Sequence, residues 1–155
     1  MKVTRQTILD APAERIIAEV STARLLRYVA WPMQSFAPIA PEMLPDVWSP
    51  GRYRVRMRSL GVLPTGWQDI VIEHPPADRP GRFYIRDNGS GQLVRRWDHL
   101  ITIDRRPDGR TDYRDEVDVD AGALTPLIAG YAAIFYAHRQ RRWRRLVRNQ
   151  FDYSK

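Results

Sequence analysis

The sequence predicts an α+β fold in which a run of antiparallel strands is followed by one long C-terminal helix. Between Arg52 and Arg58 every even position is arginine and every odd position is apolar, which is the period of a half-buried strand. The turn Arg106-Pro107-Asp108-Gly109 lies between two further alternating stretches and predicts a hairpin. From Ala123 to Asn149 the apolar residues recur at helical spacing, and such a helix would be about 40 Å long.

The N-terminal part of the chain predicts one strand and two short helices. Residues 3–9 alternate imperfectly and form the opening strand. Pro12 is tolerated in a first helical turn, and Glu14 complements the positive end of a helix, so the first helix begins there. Ser21 or Thr22 then caps the second helix.

The rest of the sheet follows from alternation and from turn-forming residues. Residues 61–66 are interpreted as a connection between strands, and Gly89-Ser90-Gly91 as a turn. Both faces of the strand that begins at Trp67 carry apolar residues, so alternation leaves its inward face open. With the opening strand, the sheet has six to seven strands; those predicted after the second helix are residues 35–39, 52–58, 67–74, 83–87, 93–104 and 111–119.

The composition excludes several classes of protein. The chain is 43% hydrophobic and 28% charged, with a formal net charge of +7, and only Lys2 and Lys155 among its 25 basic residues are lysine. It has no apolar run near the roughly 18 residues of a membrane span and no signal peptide, so we expect a cytoplasmic protein. The absence of cysteine excludes disulfides and thiolate metal sites. His74, His99 and His138 lack metal-ligand spacing, and we expect neither a metal nor a cofactor.

The order of elements resembles the START-like helix-grip superfamily, which includes pollen-allergen-type proteins, polyketide cyclase/dehydrases and lipid-transfer domains. The resemblance covers nearly the whole chain and implies a single domain over residues 1–155. It implies a curved sheet wrapped around the last helix with a cavity between them, but it does not imply a reaction. The segments that carry it are Asp10 to Ile16, Gly51 to Val55, Leu93 to His99, and Thr111 to Val119 leading into the helix.

Alternate residues of such a sheet point towards the helix and supply the candidate binding residues. The inward face is predicted to be mostly apolar, as a pocket for a small molecule requires. Its polar members are Asp87, Arg95, His99 and Asp115. The others are Tyr53, Val55, Met57, Phe83, Ile85, Trp97, Ile101, Tyr113 and Val117 from strands, with Tyr131, Phe135 and His138 from the helix.

Three functions are consistent with this pattern. The leading hypothesis is a binder of a small lipophilic molecule such as a lipid, polyketide or quinone. The second is an enzyme of the polyketide cyclase/dehydrase kind, because His99 and Asp115 lie nearly opposite each other on hairpin strands and could act as acid and base. A buried histidine–aspartate pair is, however, more often a satisfied polar group than a catalytic one.

The third hypothesis concerns the basic end of the final helix. Residues 139–148 hold six arginines around Trp143 and no acid, a composition that suits delivery of lipid or quinone at an anionic membrane surface. Arginines on a solvated helix face are the commoner case, and they also favour a helix C-terminus. Nucleic acid ranks below a membrane as a partner.

Overall fold

The computed structural model describes residues Met1 to Lys155 and contains one curved, seven-stranded antiparallel sheet and three helices. The strand order is β1-β7-β6-β5-β4-β3-β2. The α+β prediction and the long final helix are confirmed. The strands are Lys2–Leu9 (β1), Gln34–Ala40 (β2), Gly51–Ser59 (β3), Leu63–Glu73 (β4), Arg82–Gly91 (β5), Arg96–Arg105 (β6) and Thr111–Asp120 (β7).

The helices begin where the capping residues allow. The first helix, α1, is Ala13–Val20, and α2 is Ala23–Ala30. Thr22 is the cap of α2, because its hydroxyl accepts a hydrogen bond of 3.1 Å from the backbone N–H of Leu25. The long helix, α3, is Thr125–Arg148 and follows a short 3₁₀ turn at Gly122–Leu124.

The boundary between β5 and β6 differs from the prediction. Gly89 and Gly91 belong to β5 rather than to a turn, and β6 begins at Arg96 rather than at Leu93. A Cβ on Gly89 would lie 2.5 Å from the backbone oxygen of Asp69, and one on Gly91 would lie 2.7 Å from that of Trp67. Glycine is therefore required here because the backbones of β4 and β5 approach closely. In the sequence alone, glycines used in this way cannot be distinguished from glycines of a turn.

The strand β4 begins four residues earlier than predicted, at Leu63, and its register against β3 shifts between Met57 and Arg58. The structure settles its inward face, since Gln68, Ile70 and Ile72 point into the interior. Asp69 lies on the opposite face and is nevertheless buried, under Arg52 and Arg54.

The helix α3 crosses one face of the sheet, against β1 and β7, and also contacts α2. Its C-terminal half, residues 139–148, contributes Trp143, Leu146 and Val147 to the main hydrophobic core. Its N-terminal half, residues 125–138, contributes Phe135 and Tyr136 to a second, smaller cluster. No helix of the protein is both long and apolar enough to cross a membrane.

Candidate ligand-binding site

Between the sheet and the N-terminal half of α3, side chains leave a cavity of about 560 Å³. Thirty residues line it, and 22 of these are hydrophobic. Its walls come from β2 to β6, from α2 and from α3. A cavity of this size and polarity is within the range of small-molecule sites.

Half of the predicted binding residues line this cavity. The apolar ones are Met57, Ile85, Ile101 and Phe135. The polar or aromatic ones are Asp87, Trp97, His99 and Tyr131. Alternation therefore identified the correct face on β3, β5 and β6.

Five other predicted residues are at least partly buried but contribute to packing instead of lining the cavity. Tyr53, Val55 and Tyr113 belong to the main core, Phe83 packs against it, and Val117 belongs to the second cluster. The inward face of the sheet is longer than the cavity, and α1, α2 and the C-terminal half of α3 fill the remainder. Sequence alternation reports the face of a strand and not what covers it.

Arg95 and His138 do not line the cavity. Arg95 is exposed in the loop before β6, and its backbone N–H donates to the carbonyl of Asp120 at 2.7 Å. His138 is half-buried beside α2, with Nε2 2.9 Å from the backbone oxygen of Trp31. The cavity-lining residues of α3 include a row spaced by four, from Tyr131 and Phe135 to position 139, and His138 is not among them.

His99 and Asp115 form the predicted buried pair, with His99 Nε2 2.8 Å from Asp115 Oδ1. They are not directly opposed, because His99 faces Val117 and Asp115 faces Ile101 in the β6–β7 ladder. A diagonal offset of two residues remains within reach of long side chains.

The pair is electrically asymmetric. Burial lowers the pKa of His99, although the hydrogen bond to Asp115 opposes this shift, so the imidazole is neutral at pH 7. Burial alone would raise the pKa of Asp115, but hydrogen bonding to His99 and nearby positive charge bring it below its usual range. A neutral imidazole beside a carboxylate must donate from Nε2, which leaves Nδ1 as an acceptor.

Two further groups complete the coordination of Asp115. Gln140 Nε2 donates to Asp115 Oδ2 at 2.9 Å, and the Tyr113 hydroxyl donates to Oδ1 at 3.3 Å. Asp115 does not itself line the cavity, whereas His99 does. These hydrogen bonds satisfy the polar groups of the pair and explain why it is stable beneath the cavity wall. An acid/base role for the pair stays a prediction.

Asp87 is the acidic group on the cavity wall. Its Oδ1 accepts a hydrogen bond of 2.8 Å from the backbone N–H of Val71 in the neighbouring strand. Burial raises the pKa of Asp87 to about 7, against the opposing effects of this hydrogen bond and of the charge on Arg139. The carboxyl group is therefore divided between its neutral and ionised forms near neutral pH.

Arg139 and Tyr136 are lining residues that the sequence analysis did not select. Arg139 was assigned to the basic surface, yet it is only 6% exposed. Burial opposes its charge, but Tyr136, Asp115 and Tyr113 raise the pKa of Arg139 above its ordinary value, so it is a cation. The spacing Tyr131, Phe135, Arg139, Trp143 places Arg139 on the cavity-facing row, and that spacing was the available signal.

The basic helix end is correspondingly smaller than predicted. Trp143 is fully buried, so it is part of the core and not of a surface. Arg142 donates to the carbonyl of Tyr28 at 2.8 Å and lies over its ring, which ties this part of α3 to α2. The exposed arginines that remain are Arg141, Arg144, Arg145 and Arg148, and membrane contact through them stays a prediction.

Solved structures of other proteins share this architecture. A START superfamily protein from Mycobacterium smegmatis has a TM-score of 0.67 at 16% sequence identity, with 96% of this chain and 98% of that chain covered. A protein from Thermus thermophilus has a TM-score of 0.65 at 13% identity, with 98% and 100% covered. A conserved protein from Geobacillus kaustophilus gives 0.63 at 12% identity, with 96% of each chain covered. At these identities the likeness shows the fold alone.

Fold and site together define a protein of the helix-grip fold with an apolar interior cavity. The chain belongs to the family described as "Domain of unknown function (DUF8410)", whose model matches residues 7–147. No curated protein matches the chain in sequence.

Proposed function

We propose that this protein binds a small lipophilic molecule in the cavity beneath the N-terminal half of α3. The observation that carries the proposal is the cavity of about 560 Å³, 22 of whose 30 lining residues are hydrophobic. Interior voids cost free energy in proportion to their volume, and the adjacent core of the same domain is closely filled. An apolar ligand that removes its own surface from water would offset this cost.

The rim of the cavity supports the same function. Leu60 is 61% exposed, Leu127 is 70% exposed and Ile134 is 64% exposed, and all three belong to its lining. Leu93 adds a fourth large apolar side chain at half exposure. Apolar side chains on both sides of an opening favour the passage of an apolar molecule from its surroundings into the interior.

Titration with the fluorescent apolar probe N-phenyl-1-naphthylamine tests the proposal. We expect saturable binding to the wild type, and at least tenfold weaker binding to Met57→Trp, because a large indole at this lining position occupies ligand volume. The matched control is Met43→Trp, whose side chain is 78% exposed and which should bind the probe like the wild type.

The probe is excited directly, so that the added tryptophans do not affect the signal, and its affinity for the wild type and for each variant is compared. A thermal melt of each variant shows that it is folded. The proposal fails if the folded wild type shows no saturable binding. It also fails if the two tryptophan variants bind equally well.

A further inference from the structure

Arg139 is a buried cation whose Nε–H has no hydrogen-bond partner in the protein. Its side chain lines the cavity, and only 6% of the residue is exposed. Its Nε is fully enclosed and has no hydrogen-bond partner, and the neutral Tyr113 hydroxyl is the side chain that approaches the guanidinium. A guanidinium group carries five N–H donors and stays protonated at any physiological pH. Buried donors normally have acceptors, and the chain leaves this guanidinium incompletely paired.

The neighbouring acid Asp115 is already committed to other donors. Its two oxygens accept from His99 and Tyr113 on one side and from Gln140 on the other. It contributes a favourable field to Arg139 without a direct contact. The same arrangement holds the carboxylate away from the cavity, so the charge of Asp115 does not occupy the position that a ligand would take.

The aromatic neighbours of Arg139 stabilise its charge without accepting its N–H groups in their plane. The guanidinium carbon lies 5.2 Å from the ring centre of Tyr136 and 5.7 Å from that of Phe135. Such contacts favour a cation in an apolar place, but the edge of the planar guanidinium remains available. An oxyanion with two oxygens matches that edge by paired hydrogen bonds.

Asp87 lines the same cavity from β5 and feels the charge of Arg139, yet the two form no ion pair. One Asp87 oxygen is held by the Val71 N–H. Its ionisation is only partial near neutral pH, so Asp87 is a weak competitor for Arg139. In its neutral form Asp87 is itself a donor and can share in binding an acceptor oxygen.

We infer that the cavity takes an amphipathic acid, a molecule with an apolar body and a carboxylate or similar oxyanion that pairs with Arg139. This inference rests on the proposed function and adds the chemical class of the ligand. The apolar walls accommodate the body, while the buried guanidinium fixes the orientation of the acid group. Fatty acids and apolar aromatic acids share this chemistry.

Competition for the bound N-phenyl-1-naphthylamine probe by dodecanoate and by 1-dodecanol tests the inference at about pH 6, where Asp87 is mostly neutral and a free carboxylate is ionised. The two competitors have the same chain and differ in the acid group. We expect the wild type to bind dodecanoate at least tenfold more tightly than dodecanol, since charge-assisted bonds in a buried site are strong. Arg139→Met should abolish this preference while its affinity for dodecanol stays within about twofold of the wild type.

Arg141→Met is the matched control, because Arg141 is exposed on the same helix and the substitution removes the same charge. This variant should keep the full preference for the acid. Arg139→Lys retains the charge but not the planar pair of donors, and its preference should be intermediate. If Arg139→Met does not fold, Arg139→Lys alone tests the role of the guanidinium group.

The outcomes separate the two proposals. If the probe binds but the wild type does not distinguish acid from alcohol, the inference about Arg139 is overturned and the cavity function stands. The inference is equally overturned if Arg139→Met, or Arg139→Lys alone where Met does not fold, keeps the full preference. If the folded wild type does not bind the probe at all, the proposed function itself fails.

Discussion

The two halves of α3 lie over the same sheet but meet it in different ways. The C-terminal half is packed against a filled core, in which Trp143 and Leu146 are completely buried. The N-terminal half covers the cavity and presents Leu127 and Ile134 to solvent. One half serves stability and the other leaves room for a ligand.

The difference follows from side-chain size along the helix. In the N-terminal half the first buried residues are Ala129 and Ala132, which extend little from the helix, and the buried rings of Phe135 and Tyr136 follow only towards its end. In the C-terminal half Trp143 is fully buried, and its ring centre lies 5.9 Å from that of Tyr113 and 6.5 Å from that of Phe151. Small side chains leave space beside the helix unfilled, and large ones fill it. Arg139 stands at the border of the two regions.

The largest expected effect of a substitution therefore falls on the filled half. Trp143→Ala removes a fully buried ring and should lower the free energy of unfolding by about 3–5 kcal/mol. Leu127→Ala, on the cavity half and 70% exposed, should change it by less than about 0.5 kcal/mol. Urea unfolding followed by tryptophan fluorescence and circular dichroism measures both. Similar losses in the two variants would show that the halves do not differ as described.

A second prediction concerns His99, which lies on the cavity wall and is neutral because it is buried. Its folded-state pKa is below its unfolded value, so the unfolded chain takes up a proton first as the pH falls below about 6.5. Proton uptake by the unfolded imidazole should destabilise the wild type between pH 7 and pH 5, by at most about 2 kcal/mol. His99→Gln keeps an N–H donor for Asp115 but does not titrate.

The measurement is the difference in unfolding free energy between His99→Gln and the wild type at several pH values. The variant should gain on the wild type steadily as the pH falls through this window. A difference that stays constant from pH 7 to pH 5 would contradict a buried neutral imidazole.

A third effect, opposite in sign to that of His99, is expected at Asp87, whose pKa of about 7 exceeds its unfolded value. Ionisation of Asp87 in the folded protein is unfavourable. The resulting loss of folding free energy is absent below about pH 4 and complete above about pH 7. Asp87→Asn keeps the acceptor for the Val71 N–H and should be more stable than the wild type by about 1–3 kcal/mol at pH 8. Thermal melts at pH 4 and pH 8 test this. A variant less stable than the wild type at pH 8 would show that the charge is favourable there.

Much of the fold could be predicted from the sequence because its signals are local. The alternation of Arg52 to Arg58 and the hairpin at Asp108-Gly109 depend on neighbouring residues only. The limits of β4, β5 and β6 could not be predicted, because the glycines at 89 and 91 serve a contact with a strand about twenty positions earlier in the chain. The candidate site was half predictable for the same reason. Met57, Ile85 and His99 were identified from their faces, whereas Arg139 was assigned to the surface.

The sequence by itself determined the class of the fold and the inward face of most strands, and it placed His99 within possible reach of Asp115. Period and turn chemistry are properties of short segments, and they survive without knowledge of the neighbours. The tertiary structure alone decided which inward residues fill a core and which border a cavity, because that depends on the size of what packs opposite. It also decided that Arg139 is a buried cation rather than part of a surface. The sequence does not distinguish the six arginines of this stretch, because only the packing of the helix against the sheet buries Arg139.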